Sequence, residues 1–133
     1  MSGETNLNAL IKSMSAELHD GVFVFATIPP GQPVPNAAPR MLFQEAEGTT
    51  LILLKSEAVA HSLPFEFPCR MITLNIHSSL EAIGFMALIA TELAKHDMGV
   101  NPVSGYFHDH LFVPEGREQD AMDALERLAR GRE

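Results

Sequence analysis

The chain is poor in cysteine, in positive charge and in long apolar runs, and each shortage excludes a class of protein. Its single cysteine, Cys69, rules out a disulfide framework and a cysteine-based zinc site, and it suits a reducing cytoplasm. Nine Lys and Arg against 17 Asp and Glu leave a formal charge of -8. A nucleic-acid backbone or an anionic membrane is therefore not expected as the main partner. No segment reaches the ~18 uninterrupted apolar residues of a membrane span. The opening MSGETNLNALIKS has no apolar run of the signal-peptide kind. The GxSxG, P-loop, dinucleotide-binding and HExxH patterns are missing too, and Glu45 and Glu47 form no evident catalytic pair. Cys69, between Pro68 and Arg70, has no recognisable general base in sequence and is expected to be a half-buried strand-end thiol. The expectation is a soluble cytoplasmic protein with no catalytic residue and no cofactor.

What is present is a chain of 133 residues, 46% apolar, enough for one compact domain or two small units sharing a core. Leu7, Leu10, Ile11 and Met14 have helical spacing, with Thr5 or Asn6 as N-cap, and predict a helix over 4–14. Residues 21–28 (GVFVFATI) predict a strand covered on two faces. Residues 29–40 hold Pro29, Pro30, Pro33, Pro35 and Pro39 and can only be a loop. Strands at 41–46 and 49–54 make a hairpin, and Ser56 is the expected cap of a short helix ended by Pro64. Phe65–Pro68 is too proline-flanked for a central strand. Residues 70–76 alternate as a half-buried strand. A long helix is expected over 79–96, with Phe85 and Leu88 on or near its polar half. Then come a strand over 100–107, a turn at His108-Asp109, a return strand over 111–113 and a helix over 117–130.

These elements repeat in order. Strand 21–28 corresponds to 70–76, and hairpin 41–54 to 100–113, each hairpin followed by a helix. The proline loop stands where the second half has its long helix, and the N-terminal helix is placed to cover the sheet surface left bare. Strand-helix-strand-strand-helix, closed by one more strand, is the ferredoxin-like series. The fold class expected is α+β: two ferredoxin-like βαββαβ-type units packed side by side, the first abbreviated, with residues 1–67 and 68–133 as the two units. A single α+β sandwich without a repeat is the alternative.

Residues 72–113 resemble an ACT domain, the small regulatory module that binds amino acids. An apolar strand leads through a polar loop into an alanine- and leucine-rich helix, and LAKHDMGVNPVSGY matches the stretch in which that helix ends at Gly before an apolar-Asn strand. The whole chain resembles bacterial proteins with two tandem ACT-like units. ACT sites often carry an acidic residue and a Pro-Gly pair before the first helix. Here the loop reads His77-Ser78-Ser79-Leu80, with Gly84 four residues beyond Leu80.

The loop also has a physical case of its own, since free N–H groups at a helix start favour an anion. Ser78 or Ser79 is the expected cap, His77 and the serine hydroxyls are candidate donors, and Glu81 begins the first turn. A capped helix end with water around it is the competing reading. The resemblance implies a ligand between units, with an opposing wall of Val100, Asn101 and Pro102 together with Thr27 and the loop 28–40 of the first unit. His77, His108 and His110 suggest a metal site as a weaker alternative, because imidazoles suit zinc. Phe85 and Leu88 on one helix flank suggest contact with a second chain, with covering by the chain's own N-terminal segment as the alternative. The function expected is a non-catalytic regulatory or sensor module binding an amino acid or similar small carboxylate, as a homodimer and with a regulated protein partner to relay the signal. A protein-interaction module without a small ligand is the first alternative, and a His-based metal-dependent enzyme the second.

Overall fold

Apolar alternation and turn residues set the strands of the computed structural model, which describes residues 6–76, 80 and 82–131. In chain order its elements are α1 (Leu7–Ser13), β1 (Ala16–Leu18), β2 (Phe23–Ile28), β3 (Met41–Glu45), β4 (Gly48–Leu54), α2 (Lys55–Ala60), β5 (Phe65–Leu74), α3 (Phe85–Ala94), β6 (Asn101–Ser104), β7 (Asp109–Pro114) and α4 (Glu118–Arg130). They form two compact units. One is continuous, Asp20–Cys69. The other is discontinuous, joining the residues up to His19 to those from Arg70 onward.

In the continuous unit the strands run in the order β3-β4-β2-β5, with antiparallel pairing throughout. Gly48 starts β4 because a Cβ there would lie 2.6 Å from the Ile28 carbonyl oxygen. Val24, Ala26, Ile28, Leu51, Leu53 and Ala58 form the core, so α2 covers one sheet face through Ala58. No helix lies between β2 and β3. The proline loop takes that place and lends the same core Ala37, 1% exposed, turning on bonds from Gln32 N–H to Pro29 and from Ala37 N–H to Pro35. This is the abbreviated unit that the repeat predicts.

Two local expectations change here. Helix α2 starts after Leu54 with no side-chain cap, so Ser56 lies inside its first turn rather than before it. Phe65–Pro68, expected to be unfit for a central strand, opens β5 and pairs with β2. A bulge makes this tolerable: Phe23 pairs with Cys69 but Phe25 with Glu66, so β5 has one extra residue there. Phe67 takes up the bulge at φ +57, and Pro68 sits where a ladder donor is not needed.

In the discontinuous unit the order is β1-β5-β7-β6. β1 runs antiparallel to the end of β5, with Ala16 opposite Leu74 and Leu18 opposite Ile72. Both units therefore share one order, with the closing strand beside the opening strand, then the third and second strands. The first part of β5 closes the continuous unit, and its last part opens the discontinuous one. The closing strand of the latter is β1, which the sequence does not reveal because three residues carry no readable period.

The N-terminal helix, capped by Asn6 Oδ1 accepting from Ala9 N–H at 3.0 Å, does not cover the first sheet as expected. It packs with α3 and α4, where Leu10 and Ile11 meet Ile89, Leu93, Ala121 and Leu125 over Ile72, Leu74, Leu111 and Val113. This changes the burial of α3. The helix begins at Phe85, six residues later than predicted, because Gly84 before it holds φ +86, a conformation outside the helical well. Phe85 is 3% exposed, and Leu88 packs partly buried on the same cluster. Two flanking helices widen the buried arc, so the exposed flank expected to contact a second chain does not exist. β5 is also more buried than its alternation implies, with Thr73 only 6% exposed. The turn expected at His108-Asp109 falls over 105–108, closed by Gly105 N–H on His108 O, and Asp109 belongs to β7.

If Phe85 is a core residue, Phe85→Ala should lower unfolding free energy by about 3–5 kcal/mol in a urea titration. A loss well under 1 kcal/mol would return it to the surface.

Candidate functional site

Helix α3 is the element whose start matters chemically. Its N-cap is Gly84, which has no side chain to accept a bond, and the first turn, Phe85-Met86-Ala87, carries no acidic residue. Leu88 N–H reaches Gly84 O at 3.0 Å and begins the helical ladder, leaving the preceding donors at the positive end of the helix dipole. Such an end accepts a carboxylate or phosphate oxygen. Ile83 is 88% exposed and Leu80 is 68% exposed, so large apolar side chains border this end on the solvent side. The predicted residues His77, Ser78, Ser79 and Glu81 lie outside the described residues.

Asn101 and Pro102 stand next to each other on β6, both exposed, opposite Phe112 and Leu111. Pro102 is tolerated because β6 ends the strand order and has an open side. Thr27 belongs to the continuous unit. It is exposed on β2 opposite Thr50, beyond the point where β5 begins to pair. There it lines an open cavity of about 410 Å³ with Phe25, Ala26, Thr50, Pro64, Phe65 and Glu66.

The histidines are arranged differently from the metal reading. His108 and His110 have ring centroids 6.4 Å apart. The Nδ1 of His110 is engaged with Thr73 Oγ1 at 2.8 Å, and the same hydroxyl meets His19 Nε2 at 2.6 Å. Among the described residues no three His, Cys, Asp or Glu side chains gather so as to hold a metal ion, and His77 lies outside them. A threonine hydroxyl has one proton to donate, so it can give to only one of the two imidazoles and accepts from the other. Sequence reasoning missed this network. Its members lie on three separated segments, and Thr73 carries an ordinary strand-residue signal.

Arg70 anchors the same region. Its guanidinium donates to Glu118 Oε2 at 2.9 Å and to the His19 carbonyl at 2.9 Å, tying the exit of β1 to α4. Glu118 also accepts from Gly116 N–H at 2.6 Å. Backbone N–H groups and Arg70 hold the Glu118 carboxyl below the usual carboxylate range, against the opposing effect of partial burial. Cys69, expected to be half-buried, is wholly buried and donates to the Phe23 carbonyl at 3.3 Å. Burial pushes its pKa up to about 12, so the thiol stays protonated and is a packing group.

Taken together, the two units make a tandem α+β module with repeated ferredoxin-like strand order and an uncapped helix start in the discontinuous unit. One ACT-domain family model matches residues 2–70 and a second matches residues 66–127, and the chain belongs to the ACT domain family. It is similar to a Vibrio cholerae protein of unknown function, described as a possible transport protein, with 38% identity and a TM-score of 0.83 over 92% of this chain and 95% of that one. An Agrobacterium tumefaciens protein shares the fold at 14% identity, with a TM-score of 0.75 over 87% of this chain and 89% of its own. So does the regulatory subunit of aspartate kinase from Thermus flavus, at 11% identity and a TM-score of 0.57, over 86% of this chain and 95% of its own. Comparison with curated proteins gives no match. Among the described residues, no helix is long and apolar enough to cross a membrane.

The lowered Glu118 pKa has a signed consequence. A depressed folded-state value adds stability above the unfolded-state pKa, about 4.3 for glutamate, and that stability is lost as pH falls through the folded value. Glu118→Gln should therefore cost about 1–2 kcal/mol at pH 7. The gap from wild type should close in acid, read from urea midpoints between pH 7 and pH 3. A gap that persists unchanged at pH 3 would show that the charge contributes nothing.

Proposed function

We propose that this chain is a non-catalytic regulatory module whose discontinuous unit binds the carboxylate of an amino acid, or a similar small acid, at the start of α3. The observation that carries this reading is the uncapped, acid-free first turn behind Gly84. With the helix beginning at Phe85, Gly84 stands immediately before it. The sequence Glu81-Ala82-Ile83-Gly84 then falls where ACT sites often carry an acidic residue and a Pro-Gly pair, with Ile83 in the proline position. The glycine lets a ligand approach the backbone, and the free donors take its carboxylate. In the same reading Ser78, Ser79 and His77 supply further hydrogen bonds and Glu81 meets the ligand's ammonium group. Leu80 borders the site, while the exposed Asn101-Pro102 pair opens β6 after the far end of α3 and is a separate candidate surface. Thr27 and its cavity belong to the continuous unit and are a separate candidate surface.

Regulation requires only that the ligand favour one of two states of the module. A cytoplasmic setting and a protein partner that relays the change complete the proposal. Thermal melts against the twenty amino acids should show one or a few raising Tm by several degrees at millimolar ligand. Gly84→Ala should abolish that shift, while the strained backbone costs the free protein about 1 kcal/mol. No shift with any amino acid, or an undiminished shift in Gly84→Ala, would reject the site.

A further inference from the structure

The cavity beside Thr27 is left by a strand that starts late. β5 pairs with β2 only as far as Phe65 opposite Ala26, while β4 runs on along β2 to Thr49 opposite Ile28. Thr27 therefore has a strand on one side and a notch on the other. Lys55 N–H donates to the Val22 carbonyl on the β4 side, so the alternation of an antiparallel ladder turns the Thr27 carbonyl toward β5. Pro64 stands next in line there and has no N–H to give it. The side chains around the notch are acceptors too. Glu66 pairs with Phe25 and shares its face, which is also the face of Thr27, two residues on, and of Thr50 opposite Thr27. Thr50 gives its hydroxyl proton to Glu45 Oε1, which leaves its lone pairs for a donor. Glu66 is exposed, and among the described residues neither it nor the Thr27 side chain has a hydrogen-bond or ion-pair partner. Among the described residues no lysine or arginine lines the cavity; the Lys55 ammonium lies outside it, 5.9 Å from the centroid of the Phe65 ring. Phe25 supplies an aromatic wall, its ring held against Phe67 at 5.8 Å between centroids and 64° between planes.

We propose that this notch binds a small primary alkylammonium ion. Its three N–H donors are answered by the Glu66 carboxylate, the Thr27 carbonyl and the Thr50 hydroxyl, and its charge by Glu66 and, one hydrogen bond further, Glu45. The Phe25 ring takes the alkyl chain and faces the cation with its π system. A carboxylate ligand would meet acceptors and negative charge. A metal ion would need more oxygen ligands than one carboxylate and two threonines offer, and would lie against apolar walls. An open cavity of about 410 Å³ holds a chain of a few carbons. The site shares no residue with the start of α3 and selects the opposite charge, so it stands or falls separately from the carboxylate site.

Titrating the isotope-labelled full chain with n-butylammonium chloride should move the amide resonances of residues 25–27, 50, 65 and 66, saturating at millimolar ligand. n-Butanol and butyrate should not move them, and tetramethylammonium, which has no N–H to donate, should bind several-fold more weakly. Glu66→Gln changes an exposed residue and should weaken butylammonium binding about tenfold, and Thr50→Val several-fold, with thermal melts showing the fold retained. Glu57→Gln, on α2, removes the same charge elsewhere in the unit and should bind as the wild type does. The proposal is overturned by the lack of a saturable shift, by butanol or tetramethylammonium binding as tightly, or by full affinity in Glu66→Gln. An equal loss in Glu57→Gln overturns it as well, since that would be general attraction to an acidic chain.

Discussion

A ten-residue strand with two occupations governs this fold. The early part of β5 completes a series of strands that began at Phe23, and its later part starts a second series of the same order. Sharing a strand this way gives each unit an opening or a closing strand without extra chain. It also fixes what must follow. Once the final residues of β5 open a new series, that series lacks a closing strand at its far end, and β1 supplies it from the N-terminus. Because β1 belongs there, α1 must pack there too, which is why Leu10 and Ile11 meet α3 and α4. The bulge at Phe67 lies in the early part of the strand, and Arg70 begins the later part, holding the His19 carbonyl and Glu118.

Most of the elements were legible because their signals are local. The proline cluster could only be a loop, alternation marked the strands, and the apolar positions of α4 recur at helical spacing over its whole length. The start of α3 was not legible. Ala82 and Ile83 continue the apolar stripe, so periodicity runs on through Gly84, whereas the backbone there has left the helical region. One misplaced helix start carried further errors with it. It offered Ser78 or Ser79 as the cap, it put Gly84 inside the helix rather than before it, and it put Phe85 and Leu88 on a solvent flank although both pack with α1 and α4. The His19, Thr73 and His110 network escaped for another reason: each residue alone looks like an ordinary surface or strand residue, and only pairing brings them together.

The acidic balance of the chain bears on how an anion would be held. A net charge of -8 lowers the potential around the molecule, and at physiological ionic strength charges beyond about 8 Å are largely screened. A carboxylate therefore depends on nearby groups. A helix start without acidic side chains provides them, because its donors are fixed in direction and need no reorganisation when the ligand arrives. Helix α4 makes the contrast within the same unit. Glu118 and Asp120 occupy its first turn, with Glu118 pinned by Gly116 and Arg70, so its dipole is already answered by the chain's own carboxylates. Two helices of one unit thus differ at the feature that decides whether an outside anion is wanted.

That difference has a consequence for coupling. The donors at the start of α3 are rigidly tied to the core through Phe85, Ile89 and Leu93, which pack on α1, α4 and the sheet. A ligand drawing on those donors acts on an element that three others touch, and a shift of α3 would be felt wherever α1 and α4 end.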